Sequence, residues 1–301
     1  MYQYNQNKIY KEWCDHLHID AKNIDNVVQI PFLPVSFFKT NKIICGDENY
    51  DLVFESSGTT QINKSRHYVR EIGLYIKSFT KSFEIFYGDI KDWCIIGLLP
   101  SYLRQKNSSL VKMVDKLIKM SDHDQSGFYL DEYEKLNQVL QQLEGKQQKT
   151  LLIGVTFALL DFAEKFSMPL ASTIIMETGG MKGRRQELTR DEVHNILKKQ
   201  FNIQQVHSEY GMTELLSQAY SKANGKFYCP PWMKVFVRDE DDPLLVKSKG
   251  KGALNIIDLA NTNSCAFIAT DDVGELFADG SFSVAGRLDG SDIRGCSLMV
   301  I

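Results

Sequence analysis

TLLIGVTFALLDFAEKFSMPLASTIIMET, residues 150–178, decides the fold class. TLLIG is a short apolar run of strand length, VTFALLDFAEKF is an apolar helical segment, and TIIMET is a second strand-length run. Strand, helix and strand follow one another, the mark of an α/β chain. Gly179-Gly180 then forms a turn, and Thr189 with Glu192 in TRDE makes a capping box that opens another helix.

The alternation extends in both directions. Toward the N-terminus, WCIIGLLP (93–100) reads as a buried strand and SSLVKMVDKLIKM (108–120) as a helix whose serines suit the N-cap. DLVFE (51–55) reads as a strand, followed by a Ser/Thr/Gly loop and a long helical segment from Tyr68 to Tyr87. Val69, Ile72, Ile76, Phe79, Phe83 and Phe86 form its apolar stripe. Toward the C-terminus, IQQVHSEYG predicts another strand, and GALNIIDL, CAFIAT, ELFAD and FSVAGR read as consecutive strands with a hairpin turn at Asp279-Gly280. The fold class is therefore α/β with a β-rich C-terminal part, and there is no internal repeat.

Composition narrows the function. The 301 residues are 43% hydrophobic with a net charge of -3, and the basic residues are scattered, which argues against nucleic-acid binding. The polar N-terminus lacks a signal-peptide core and no apolar run reaches membrane-spanning length, so a cytoplasmic protein is expected. The cysteines at 14, 45, 94, 229, 265 and 296 include no CxxC pair, and neither a disulfide framework nor a structural metal is expected.

Glu55 to Ser65 places hydroxyls, a glycine and Lys64 between a strand and a helix, where they could bind phosphate or simply cap the helix. Gly58 through Ser65 also misses the Walker A pattern only at Asn63, so a P-loop reading stands on this stretch alone.

Together with four later segments, SSGTTQINKS resembles the phosphate loop of the adenylate-forming superfamily, which includes acyl-CoA synthetases and luciferases. Gln61 and Asn63 stand where the usual loop has glycine and proline. TGGMKG (178–183) resembles the adenine-binding turn, and HSEYGMTE (207–214) carries a Y-G-x-T-E signature. TDDVGEL (270–276) and GRLDGSDI (286–293) resemble the T-G-D-x-G and G-R-x-D-D stretches, with Asp271 in place of a glycine. The resemblance implies ATP contacts from Ser56, Ser57, Gly58, Thr59, Thr60, Gly179, Gly180, Tyr210, Gly211, Thr213, Asp272 and Arg287, with Glu214 near Mg²⁺. It implies an adenylate-forming α/β domain over residues 1–301, with subdomains near 1–200 and 201–301 and without the usual mobile C-terminal domain. Either the sequence is truncated, or the branch works differently, or other cations such as Lys64 or Lys182 replace the lysine that this domain carries.

One branch is similar over nearly the whole chain. FFKT, LLPSY, LIGVTFALLDF, METGGMKGRRQELTRDE, HSEYGMTELLSQAY and GRLDGSDIRGCSLMV resemble the acyl-protein synthetase family. That family includes the fatty-acid-activating subunit of bacterial bioluminescence fatty acid reductase. The resemblance implies activation of a fatty or other carboxylic acid as acyl-AMP. Transfer through Cys296, beside Arg294, to an acceptor protein such as a reductase or carrier would follow. A phenylacetate-type CoA ligase and a catalytically impaired nucleotide-binding subunit are the alternatives. Thr213, Lys64 and His207 join Cys296 as candidate catalytic residues, and His67 and His207 could each be a base or structural. Phe157, Leu160 and Phe162 could line an acyl tunnel or belong to the core.

Overall fold

The structure, a computed structural model, describes residues 1–47, 49–56, 64–99, 107–130, 132–179 and 188–288. They form two compact units between which the chain passes repeatedly. One comprises Met1–Phe79, Gly211–Gln218 and the stretch from Tyr228 to Leu288; the other comprises Thr80–Tyr210 and Ala219–Phe227.

The second unit is built on the stretch that opened the sequence reading. Gly127–Phe128, Cys94–Leu98, Thr150–Gly154, Thr173–Glu177 and His207–Tyr210 lie side by side as parallel strands in that order. Ala219–Ser221 adds an antiparallel strand beside His207–Tyr210. Every residue of Cys94–Leu98 and Thr150–Gly154 is buried, as expected of a parallel sheet covered on both faces. Helices Ser109–Ser121, Tyr133–Gly145, Thr156–Lys165 and Arg190–Phe201 belong to the same unit. Ser108 caps the first of these by accepting from the Val111 amide, and the Thr189–Glu192 capping box is present at the last. Phe157, Leu160 and Phe162 are all buried, and Phe162 stacks on Phe201 at 5.9 Å. These side chains are packed as core.

The first unit is largely antiparallel. Val246–Lys247, Met233–Arg238, Gly250–Asp258, Phe267–Leu276 and Phe282–Arg287 pair in that order, and Leu33–Pro34 adds a parallel strand to Phe267–Leu276. Two sequence expectations change here. The helix starts at Ile72, because Arg66–Val69 is a strand paired with Leu52–Glu55. His67 and Val69 alternate inward, a period of two that the single Val69 does not reveal in a helical stripe. CAFIAT and ELFAD, in turn, are parts of one strand, Phe267–Leu276. The acidic pair inside it sits beside an irregularity in register between Val273 and Gly274. A Cβ on Gly274 would collide with the Ser283 carbonyl, so this motif glycine is required by close strand approach. Among the described residues no helix is long and apolar enough to cross a membrane.

Candidate active site

Buried side chains hold the Thr213–Ser217 segment in place. Asn261 Nδ2 donates to the Glu214 carbonyl at 2.7 Å. Asp258 accepts from the amides of Leu216 and Ser217 at 2.8 and 3.0 Å and from the Ser217 hydroxyl at 2.6 Å. Burial pushes the Asp258 carboxyl up while these donors pull it down, and the net direction is up. His67 completes the frame: its Nδ1 lies 2.9 Å from the Thr213 carbonyl and its Nε2 lies 2.8 Å from Ser264 Oγ. A carbonyl only accepts, so Nδ1 carries the proton and Ser264 donates to Nε2. Burial lowers this imidazole to about 4, which keeps it neutral at pH 7. Thr213 remains half-buried, whereas Glu214 is fully buried.

The second group lies on the hairpin. Asp272 and Arg287 are cross-strand partners, with Arg287 Nε 3.4 Å from Asp272 Oδ1. Arg287 Nη2 is closer still to Asp271 Oδ2, at 2.7 Å. The doubled acid thus brackets one guanidinium, and Asp271 takes its shorter contact. Arg238 braces the strand by donating to the Thr270 carbonyl, to Leu254 O and to Asn255 Oδ1. A carboxylate held beside a cation can accept from vicinal hydroxyls, as a ribose presents.

Ser56 and Ser65 close the base of the Ser/Thr/Gly loop: the Ser56 amide donates to the Ser65 carbonyl at 3.1 Å, and the Ser65 amide to Ser56 Oγ at 3.0 Å. Lys64, beside this closure, is half-buried. Ser57, Gly58, Thr59, Thr60, Gly180, Lys182 and Cys296 lie outside the described residues.

In the parallel-sheet unit, Tyr210 ends its strand and packs edge-on against Phe227 at 5.9 Å. His207 is buried, with Nδ1 3.1 Å from the Tyr87 hydroxyl, and burial followed by the Lys222 charge lowers it to about 4. One ring nitrogen is therefore committed to the tyrosine. Gly179, in the left-handed region at φ 74°, follows Glu177 at the C-terminal end of its strand. Ligands of open α/β sheets are bound at such ends. Glu177 was not singled out from sequence, nor were Asp258 and Asn261; the available signal was an acid inside or directly after an apolar strand, in TIIMET and NIID.

Known proteins resemble this chain in sequence and in fold. A long-chain-fatty-acid–luciferin-component ligase from Aliivibrio fischeri is 24% identical over 327 residues, covering 99% of this chain and 84% of the relative. Apo MatB from Rhodopseudomonas palustris has a similar fold, with TM-score 0.57 and 14% identity; the match covers 80% of this chain but about half, 48%, of that one. A luciferase-like enzyme from the nonluminescent mealworm Zophobas morio matches with TM-score 0.53 and 18% identity, over 82% of this chain and 60% of that one. O-succinylbenzoate coenzyme A synthetase (MenE) from Bacillus subtilis, in complex with AMP, matches with TM-score 0.51 and 15% identity, over 78% and 49%. The family model for acyl-protein synthetase, LuxE, matches residues 1–301. The chain thus belongs to the LuxE acyl-protein synthetase family, and it is an ATP-using ligase that activates a carboxylic acid and transfers the acyl group.

Proposed function

We propose that this enzyme acts on a fatty acid, forms acyl-AMP at the Thr213–Glu214 and Asp272–Arg287 groups, and passes the acyl group through Cys296 to an acceptor protein. The observation that carries the reading is the Asp271–Asp272–Arg287 arrangement, an acid pair fixed around one cation where a ribose and its phosphate would need both charges. The fatty acid is supported by the printed name of the Aliivibrio fischeri relative, and the acceptor by the family description.

In the first step a carboxylate oxygen bonds to the α-phosphorus and the bond to pyrophosphate breaks. In the second, the Cys296 thiolate bonds to the acyl carbon and AMP departs with the electron pair, while the thiol proton goes to solvent. Ser56 to Thr60 and Lys64 would face the phosphates, Gly179, Gly180, Tyr210 and Gly211 the adenine, and Thr213 Oγ1 the α-phosphate. His207 supports its strand through Tyr87. Glu214 would hold Mg²⁺, which binds through one or two carboxylates plus substrate phosphates and would neutralise phosphate charge. Glu214 supplies one carboxylate, the ligand type that mode uses, on a backbone held by Asn261.

The test is to incubate the protein with ATP, Mg²⁺ and fatty acids of graded length and weigh it intact. An acyl adduct with AMP release is expected. Cys296→Ser should lose the adduct and keep acid-dependent ATP–pyrophosphate exchange; loss of exchange as well would remove Cys296 from the transfer role. Formation of a soluble CoA thioester without an adduct would instead establish a CoA ligase.

A further inference from the structure

We propose that Glu177 is a positioning residue for nucleotide binding: its one carboxylate joins the Gly179 turn to the first turn of the Arg190–Phe201 helix and so fixes the backbone against which adenine is bound. The inference rests on the adenylate-forming reading of Gly179 and concerns a residue to which no role is otherwise attached.

The geometry divides the work between the two carboxylate oxygens. Oε2 accepts from the Gly179 amide at 2.6 Å and from Thr156 Oγ1 at 3.5 Å. Oε1 faces Arg190 Nε and His194 Nε2, each at 3.7 Å. Gly179 is meanwhile held from its other side, because its carbonyl accepts from the Thr156 amide at 3.1 Å, and Thr178 N donates to the Gly154 carbonyl at 3.0 Å. A left-handed glycine with both peptide groups engaged has little room to reorient. Glu177 itself is only 2% exposed, and Ser208 sits beside it in register on the neighbouring strand.

Burial alone would raise the Glu177 carboxyl, but His194, Arg190 and Ser208 outweigh it and hold it below the usual range. The group is thus an anion sealed inside the sheet. An apolar residue would complete TIIM-x-T as a strand at far lower desolvation cost, so the charge has a purpose other than core packing. What it contacts is the turn and the helix start that flank residues 180–187 in sequence. No described contact takes Glu177 itself toward solvent, so it acts through the backbone of Gly179.

A positioning role separates ATP recognition from turnover. Glu177→Gln keeps the size of the side chain and one acceptor but loses the charge toward Arg190 and His194. The KM for ATP in ATP–pyrophosphate exchange should rise about tenfold, with kcat and the KM for the fatty acid within about twofold of wild type. AMP affinity measured by titration calorimetry should fall in parallel. Should Glu177→Gln fail to fold, Arg190→Gln is read the same way, and Arg190→Lys should recover part of the ATP KM. A folded variant with unchanged ATP KM, or with reduced kcat at unchanged KM, overturns the positioning role while wild-type exchange stands. Absence of exchange in the wild type refutes the adenylate reading and the positioning role with it.

Discussion

His67→Asn offers a measurement whose size follows from the structure. The wild-type imidazole is completely buried between the Thr213 carbonyl and Ser264, and burial lowers it from its ordinary 6.5 to about 4. The unfolded chain therefore binds a proton below pH 6.5 that the native chain refuses until about pH 4. The contribution is fully present above pH 6.5 and is lost as pH falls toward 4. At about 1.4 kcal/mol per pH unit the full loss is about 3.4 kcal/mol, of which about 2 kcal/mol is felt at pH 5. Asparagine keeps a donor near the Nδ1 position and does not titrate. At pH 7.5 it should cost about 1–3 kcal/mol for the vacated space and the lost Ser264 contact. Urea unfolding of both proteins at pH 7.5 and pH 5 isolates the histidine, because His207, and Glu209, which burial and the Glu177 charge raise to about 8, titrate in both. The stability gap should shrink by about 2 kcal/mol at pH 5. A gap that does not change with pH would mean the buried imidazole is not held neutral, and the assignment of Ser264 as donor to Nε2 would fall with it.

Three further outcomes follow from the same contacts. Arg287→Lys removes the fork that reaches both Asp271 and Asp272, and should raise the ATP KM about tenfold while calorimetric unfolding changes little; an unchanged KM would detach this pair from the nucleotide. Gly274→Ala forces a Cβ against the Ser283 carbonyl and should lower stability by about 1–3 kcal/mol in urea titration. Asp258→Asn presents an amide NH₂ to groups that are themselves donors, Leu216 N, Ser217 N or Ser217 Oγ, and should cost about 1–3 kcal/mol with loss of pyrophosphate exchange. Retention of full exchange in a destabilised Asp258→Asn protein would show that the Thr213–Ser217 backbone is not the part that matters.

How far the sequence reaches depends on whether the determining contact is local. Thr150–Gly154, Thr156–Lys165 and the Thr189 capping box were legible because hydrophobic period and capping chemistry act within a few residues. Arg66–Val69 was not, since its pairing with Leu52–Glu55 is set across the intervening loop. CAFIAT and ELFAD read as separate strands on either side of Asp271 and Asp272, whereas in the structure Arg287, brought alongside by the hairpin, pairs with both carboxylates inside one strand. The same limit applies to the site. Thr213, Glu214, Asp272 and Arg287 stand out as motif letters, whereas His67, Asn261 and Asp258 act through partners 146, 47 and 42 residues away. A buried polar residue announces that it has a partner but does not name it.

Those distant partners give several ionisable groups here a structural role in the proposed reaction that needs no proton transfer. At pH 7 a fatty acid is already a carboxylate and pyrophosphate leaves as an anion, so adenylation requires no strong general base. It requires donors and cations fixed before charge develops on the α-phosphate, because groups that must reorganise during the step give back much of what they stabilise. A histidine lowered to about 4 is a poor base yet a dependable structural donor, since it does not change charge across the physiological range. His67, Asn261 and Asp258 thus fix the Thr213–Ser217 backbone in one unit, and in the other Glu177 restrains Gly179. Each restraint exchanges the desolvation of a buried polar side chain for a backbone that is already in place when ATP binds. Substitutions at these positions should consequently act on nucleotide recognition and the adenylation step, leaving the chemistry of an already formed thioester at the proposed nucleophile Cys296 untouched.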